Sequence, residues 1–386
     1  MNEVSGSPLR GSELERLRDF LGRAGISYDE GVEHSVLLED DGRIVACGSC
    51  RSNVIECLAV DESRRGENLL GTVFSHLVGW LMGQGHARWF CFTKPQNRPL
   101  IESLGMWCVA QTDGAVMLES RRDGLAGYLC RVQEETRAQL AQKGMETAGC
   151  KCIGAIVANC NPLTLGHLHL IKTAARQVDL LHVFVLAAEQ EFMPAADRLA
   201  LVKQATADMP NVTVHSGGDY LVSPATFPTY FHKDEAAGLA ANCKLDVELF
   251  AHHVAPALGI TKRFVGTEPT CDVTRQYNEC MQELLPLAGI KLEVVPRLEV
   301  DAGPAGTRHS DQASCTGENL PGCDSPAALS PDDATAETTS VPVSASTVRA
   351  LVKTGDLAAA APLLPECTLR YLETHAPGAT SDNKSR

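Results

Sequence analysis

The chain has 386 residues, 44% of them apolar, enough for two or three cored units. Its net charge of −14, from 34 basic against 48 acidic side chains, argues against a general nucleic-acid surface, and any bound phosphate must be met by local cations. The 15 cysteines are scattered, Cys150-Lys-Cys152 lacks a second pair to complete a metal site, and no run reaches the ~20 apolar residues that span a bilayer. The polar opening Met1–Arg10 does not read as a secretory leader, so a cytoplasmic protein with reduced thiols and no membrane partner is expected.

Leu14, Leu17, Phe20 and Leu21 recur at helical spacing and predict a helix over 12–24. Strands are predicted at Ser35–Leu38, Arg43–Gly48 and Val54–Val60, with a hairpin turn at Asp41-Gly42. A helix over Leu69–Met82 and strands at Arg88–Phe92 and Ala115–Leu118 follow. This order resembles the acetyltransferase (GNAT) fold, which implies a GNAT-like α+β domain over 1–130. In that family an Arg-x-x-Gly-x-Gly/Ala loop holds the acetyl-CoA pyrophosphate by its backbone. Here the loop reads Arg65-Gly66-Glu67-Asn68-Leu69-Leu70, with both family glycines replaced. A side chain where backbone must meet phosphate is a steric obstacle, so acetyl-CoA is not expected in that mode.

Residues 131–150 are charged and partly helical, and read as a linker. From 151 to 375 the pattern alternates. Strands are predicted at Ile153–Ala158, Leu181–Leu186, Val212–His215, Arg263–Val265 and Leu292–Val295, and helices at His167–Gln177, Ala196–Asp208, Asp246–Ala257 and Arg275–Leu285. Repeated βα units predict a parallel sheet with right-handed crossovers and ligands at the carboxyl ends of its strands. Residues 301–341 are rich in Gly, Pro, Ser, Thr and Asp and read as a disordered insertion, as does the tail 376–386.

Two motifs carry chemistry. Asn159-Cys-Asn-Pro-Leu-Thr164-Leu-Gly166-His167 follows the first strand of this second region and enters a helix. A hydroxyl and an imidazole thus stand at a helix N-terminus, where unpaired N–H groups and the dipole favour anions. Ser344-Ala-Ser346-Thr347-Val-Arg349 also suits a helix start, with Ser346 as the cap and Arg349 in the first turn. Together these resemble the Thr-x-Gly-His and Ile-Ser-Ser/Ala-Thr-x-x-Arg signatures of the nucleotidyltransferases. The implied fold class is α/β: a Rossmann-like parallel-sheet nucleotidyltransferase domain preceded by a GNAT-like α+β domain.

Further segments narrow the resemblance: Asp197-Arg198-Leu199 with Lys203; TVHSGGDYLVS over 213–223; ATFPTYF over 225–231; and FVGTEPTCDVTRQYN over 264–278. With the GNAT-like region they are similar to the citrate lyase ligase family. That resemblance implies an ATP-dependent enzyme using Mg²⁺ which forms acetyl-adenylate from acetate, releasing pyrophosphate. It then passes the acetyl group to the prosthetic thiol of the citrate lyase acyl carrier subunit. On this reading His167, assisted by Thr164, contacts the α-phosphate; Gly166 and the backbone at Cys160 and Asn161 approach the nucleotide; Ser346, Thr347 and Arg349 grip the leaving pyrophosphate. Arg198 and Lys203 are candidate phosphate contacts, and Gly266, Thr267 and Glu268 can reach adenosine or acetate. Arg275, Tyr277 and Asn278 are candidates for the acetate or the thiol arm. Metal ligands are not assigned. A metabolic adenylyltransferase of the pantetheine-phosphate or mononucleotide type shares both motifs, and a third reading is a CoA-binding or interaction module without ligase activity in which the N-terminal domain does the main work.

Overall fold

The computed structural model describes residues 1–28, 31–188, 192–222, 235–267, 272–301 and 340–375. The first region opens with β1 (Asn2–Gly6), α1 (Gly11–Arg23), β2 (His34–Asp40), β3 (Arg43–Arg51) and β4 (Val54–Val60). It continues with α2 (Leu69–Gly83), β5 (Phe90–Thr93), α3 (Arg98–Ser103), β6 (Trp107–Gln111) and β7 (Val116–Glu119). Among the described residues these strands form one seven-stranded sheet in the order β1-β2-β3-β4-β5-β7-β6. Asp41 and Gly42 both take positive φ, the geometry of the tight turn predicted between β2 and β3. All pairings are antiparallel except β4–β5, which is confined to Val54–Phe90 and Ile55–Cys91. Beyond those pairs β4 runs on to Val60 without pairing to β5, so the two strands part there.

The loop into α2 is filled by side chains. Arg64 donates to both oxygens of Glu67, at 2.7 and 2.8 Å, and to Asp40 at 2.8 Å. Asn68 is left-handed at φ 56°, and its Oδ1 lies 2.6 Å from where a Cβ at Gly71 would stand. The Asn68 amide thus lies over the first turn of α2, against Gly71.

The predicted linker is largely α4 (Gly124–Gln142), which buries Leu125, Tyr128, Leu129, Val132, Thr136 and Leu140. Gln139 donates to the Val214 carbonyl at 3.0 Å and accepts from the Val214 N–H at 2.9 Å. Lys143 donates to the Met209 and Val212 carbonyls at 2.8 and 2.7 Å. The helix is thus stitched along the edge of the second sheet.

That second region runs β8 (Ile153–Ala158), α5 (Leu165–Ala175), β9 (Leu180–Val185), α6 (Ala195–Ala205) and β10 (Val212–Ser216). Next come α7 (Glu235–Leu249), a π-turn over Phe250–Val254, α8 (Ala255–Leu258), β11 (Lys262–Gly266), α9 (Asp272–Leu284) and β12 (Lys291–Val295). The five strands are parallel in the order β10-β9-β8-β11-β12. Strand order reverses between β8 and β11, where β8–β11 pairing is confined to Gly154–Lys262 and Ala155–Arg263. The strands part toward their carboxyl ends, and this is the crevice where open α/β sheets bind ligands.

Two boundaries differ from the sequence reading. Helix α7 begins at Glu235, not at 246. Asp301, Ser340 and Val341, assigned to the insertion, belong to an antiparallel ribbon of β13 (Glu299–Asp301) and β14 (Ser340–Pro342) that brings both ends of the insertion together. Residues 302–339 and the tail 376–386 lie outside the described residues. After β14 come α10 (Ala345–Lys353), α11 (Leu357–Ala360) and α12 (Glu366–His375).

One apolar cluster joins the two sheets. It contains Phe90, Phe92 and Met117 of the first, Tyr128 and Val132 of α4, and Phe184, Tyr220, Leu245 and Phe250 of the second region. Full burial of such side chains contributes ~1.5–3 kcal/mol each, so this seam is a core rather than a loose contact. Tyr220 donates to Glu119 Oε2 at 2.6 Å across it, and burial raises the Glu119 pKa.

Candidate functional site

Thr164 caps α5. Its hydroxyl accepts from the His167 N–H at 3.4 Å, and its own N–H donates to His167 Nδ1 at 3.1 Å. A backbone N–H can only donate, so Nδ1 carries the lone pair and the neutral ring carries its proton on Nε2. Enclosure of the ring, and then the adjacent Arg297 cation, push the His167 pKa down to about 4. At neutral pH the imidazole is an uncharged donor with a fixed tautomer.

Gly166 follows the cap. A Cβ there would stand 3.2 Å from the Val343 carbonyl oxygen, closer than ordinary contact, so the segment that leads into α10 packs tightly on this glycine. That segment is anchored by the Val343 N–H, which donates to the Leu298 carbonyl at 2.9 Å. The two helix starts therefore meet. Arg349 completes the join, its Nη1 donating to the Asn161 carbonyl at 2.6 Å over a separation of 188 residues.

The cap of α10 is Ser344, not Ser346: its hydroxyl accepts from the Ser346 N–H at 3.2 Å. Arg349 is consequently in the second turn. Ser346 and Thr347 are exposed in the first turn, where unpaired N–H groups gather. Ser346 Oγ lies 2.5 Å from Ser344 Oγ.

Cys160 and Asn161 face inward. Cys160 is left-handed at φ 50°, with its thiol buried and its pKa pushed up to about 12 by burial. A thiol in that state is not a nucleophile. Asn161 is buried, and its Oδ1 meets no hydrogen-bond partner among the described residues.

Arg198 corrects the sequence reading of a phosphate contact. It is fully buried, and its guanidinium donates to the Met193, Asn159 and Ala188 carbonyls and to Asn159 Oδ1 at 2.6 Å. Its charge clamps the loops after β8 and β9 from below. Lys203 is corrected too: it is exposed in the last turn of α6, and its charge acts on Glu135 and His215. That places it beside α4, away from the crevice.

Gly266 ends β11, and a Cβ there would meet nothing within 4 Å among the described residues. Thr267 is exposed and holds Arg297: its carbonyl accepts from Arg297 Nε at 2.9 Å and its hydroxyl from the Arg297 N–H at 3.1 Å. Glu268 lies outside the described residues, as do 225–231. Asn278 Nδ2 donates to the Gly266 carbonyl at 3.2 Å, Tyr277 donates to the buried Asp246 at 2.5 Å, and Arg275 pairs with Glu279 on the exposed face of α9.

Arg297 was missed by the sequence reading. It stands just beyond β12, the edge strand beside β11, and no short sequence pattern marks it. The crevice thus gathers a neutral imidazole donor, two guanidiniums and two helix N-termini, a set suited to a polyphosphate. Among the described residues no group of three or more His, Cys, Asp or Glu could hold a metal, and no two cysteines are joined. Among them, too, no helix is long and apolar enough to cross a membrane.

Fold and site define a class: an α/β protein with a GNAT-like sheet followed by a doubly wound parallel sheet. Residues 153–310 match the family described as citrate lyase ligase C-terminal domain. The chain is 38% identical over 295 residues to the citrate (pro-3S)-lyase ligase of Klebsiella pneumoniae, covering 75% of this chain and 83% of that one. It is 33% identical over 375 residues to the enzyme of the same name from Escherichia coli (strain K12), covering 97% and 94%. Among solved structures, an acyl-CoA N-acyltransferase from Pseudomonas aeruginosa aligns over 31% of this chain and 99% of its own, at 13% identity and TM-score 0.27. The chain belongs to the citrate (pro-3S)-lyase ligase family.

Proposed function

We propose that this protein is the ligase that activates citrate lyase, joining acetate to the prosthetic thiol of the acyl carrier subunit at the expense of ATP. The observation that carries the reading is the contact of Arg349 with the Asn161 carbonyl, which sets the two phosphate-type helix starts side by side.

ATP enters as a substrate, with its triphosphate across the starts of α5 and α10. An acetate oxygen attacks the α-phosphorus; the bond to the β-bridging oxygen breaks, and pyrophosphate leaves with the electron pair. His167 donates from Nε2 to a non-bridging α-oxygen. Because the ring is neutral and its Nδ1 is occupied, it stabilises charge and moves no proton. Arg297 and Arg349 offset the charge building on the leaving group, with the hydroxyls of Ser346 and Thr347 at the same helix start. Such pre-placed donors contribute about 10²–10³ in rate each. Mg²⁺ would sit on the phosphates with few protein ligands, supplying charge neutralisation. In the second half the carrier thiolate attacks the acetyl carbonyl and AMP departs.

Incubating the purified chain with ATP, acetate and the carrier subunit, followed by mass spectrometry of the carrier, tests this. One acetyl group should appear on its prosthetic thiol. An unmodified carrier, or a dinucleotide formed with phosphopantetheine in place of acetate, would favour the adenylyltransferase alternative.

A further inference from the structure

We propose that the seam between the two sheets carries a second anion site, one that takes a small polyanion bearing phosphate or carboxylate groups. A cavity of about 470 Å³ opens there, within the usual range for small-ligand pockets. Its walls come from the start of β4, the turn before β5, the first turns of α4 and the loop after β10. It is remote from the crevice between β8 and β11, because β10 is an edge strand separated from β8 by β9.

Arg88, Arg121, Arg131 and His86 line the cavity, against Asp123 and Asp219. Three arginines thus gather in one cavity on a chain of net charge −14. Both carboxylates are already met. Asp219 accepts from Arg88 Nη2 at 2.5 Å and from Asn53 Nδ2 at 3.0 Å. Asp123 accepts from Arg121 at 3.3 and 3.5 Å, a long and exposed pairing that water weakens. Arg131 forms no hydrogen bond or ion pair with a described residue, and its Nη1 lies 3.7 Å from where a Cβ at Gly127 would stand. Nothing else meets that Cβ, so the glycine is not demanded by packing, and it leaves the α4 backbone open to the cavity.

Guanidiniums bind phosphate and carboxylate through paired N–H donors, and Arg121 and Arg131 are available for this without breaking a buried contact. Arg88 is held by Asp219 and Tyr220, so an anion there would bridge the first sheet, α4 and the second region. Binding to the folded state alone would then raise the unfolding temperature.

The test is titration of the full chain with inorganic phosphate, pyrophosphate and tricarballylate, reading heat and unfolding temperature. Three proteins are compared: the wild type, Arg121→Glu/Arg131→Glu, and Arg349→Ala. Phosphate against carboxylate probes distinguish the ligand's source. At least one anion should bind the wild type and Arg349→Ala alike, and should bind the double variant at least about tenfold more weakly, which is ~1.4 kcal/mol. Both altered arginines are exposed, so the double variant should keep the wild-type unfolding temperature without anion. The proposal is overturned if no anion binds the wild type, if the double variant binds as tightly, or if Arg349→Ala alone abolishes binding.

Discussion

At the residue scale, His167 has two duties with separable signatures. It closes the α5 cap through Nδ1, and in the proposed reaction its Nε2–H donates to the α-phosphate. His167→Asn preserves part of the cap, so stability should fall by about 1 kcal/mol or less, while acetyl transfer should drop roughly 100-fold. A loss of folding equal to the loss of activity would assign the ring to structure alone. Arg198 predicts the opposite balance. Removing it takes the donor from the Asn159, Met193 and Ala188 carbonyls, of which Met193 belongs to a buried residue. Arg198→Ala should cost about 1–3 kcal/mol in denaturant unfolding, and even Arg198→Lys should not rescue the forked geometry. Sequence alone could not separate these two cases. A helix-start histidine in a known motif points to chemistry, whereas an arginine on a helix reads as a solvated charge until the fold buries it.

Buried histidines also set a pH dependence. His182 is held at about 3 by burial and then by His215, and burial lowers His215 as well, although Glu135 at 3.0 Å opposes the shift. Thr213 and Thr136 complete the contacts, at 3.1 and 3.3 Å from these rings. The folded state binds fewer protons than the unfolded chain below the ordinary histidine pKa of ~6.5, so stability is full above that pH and falls as pH drops toward 4. Thermal unfolding between pH 7 and pH 5 should show the fall, and His182→Gln should make it shallower. An unfolding temperature that does not move over this range would contradict the argument.

At the element scale, the βα alternation was legible because each strand is a short apolar run followed by a helix-period segment. Strand β1 was not legible. Its sequence NEVSG is polar, and it is held by backbone pairing to β2, with Val4 opposite Leu37. The start of α7 was placed 11 residues too late, because Glu235–Leu245 offers little amphipathic pattern. Gly166 ties two elements together. Ala is ~1 kcal/mol better than Gly within a helix, yet Gly166→Ala should lower stability and activity together, since its Cβ must displace Val343. Stabilisation by this substitution, measured by thermal unfolding, would mean that the α10 segment does not press on α5. Arg297 shows the limit of motif reading: it belongs to no short pattern and joins the crevice only because β12 lies beside β11.

At the scale of the whole molecule, the two sheets share a core through α4. Calorimetry should therefore show one unfolding transition, and two well-separated transitions would refute the shared core. The shared core also packs the first sheet, whose loop before α2 is filled by Asn68 and the Arg64–Glu67 pair, against the second region. The central claim is that this crevice adenylates a short carboxylic acid. The most direct measurement is isotope exchange between pyrophosphate and ATP by the purified chain, with and without acetate. The account predicts exchange that requires acetate and is lost in Arg349→Ala. Exchange that is absent with acetate, or that persists unchanged in Arg349→Ala, would contradict it.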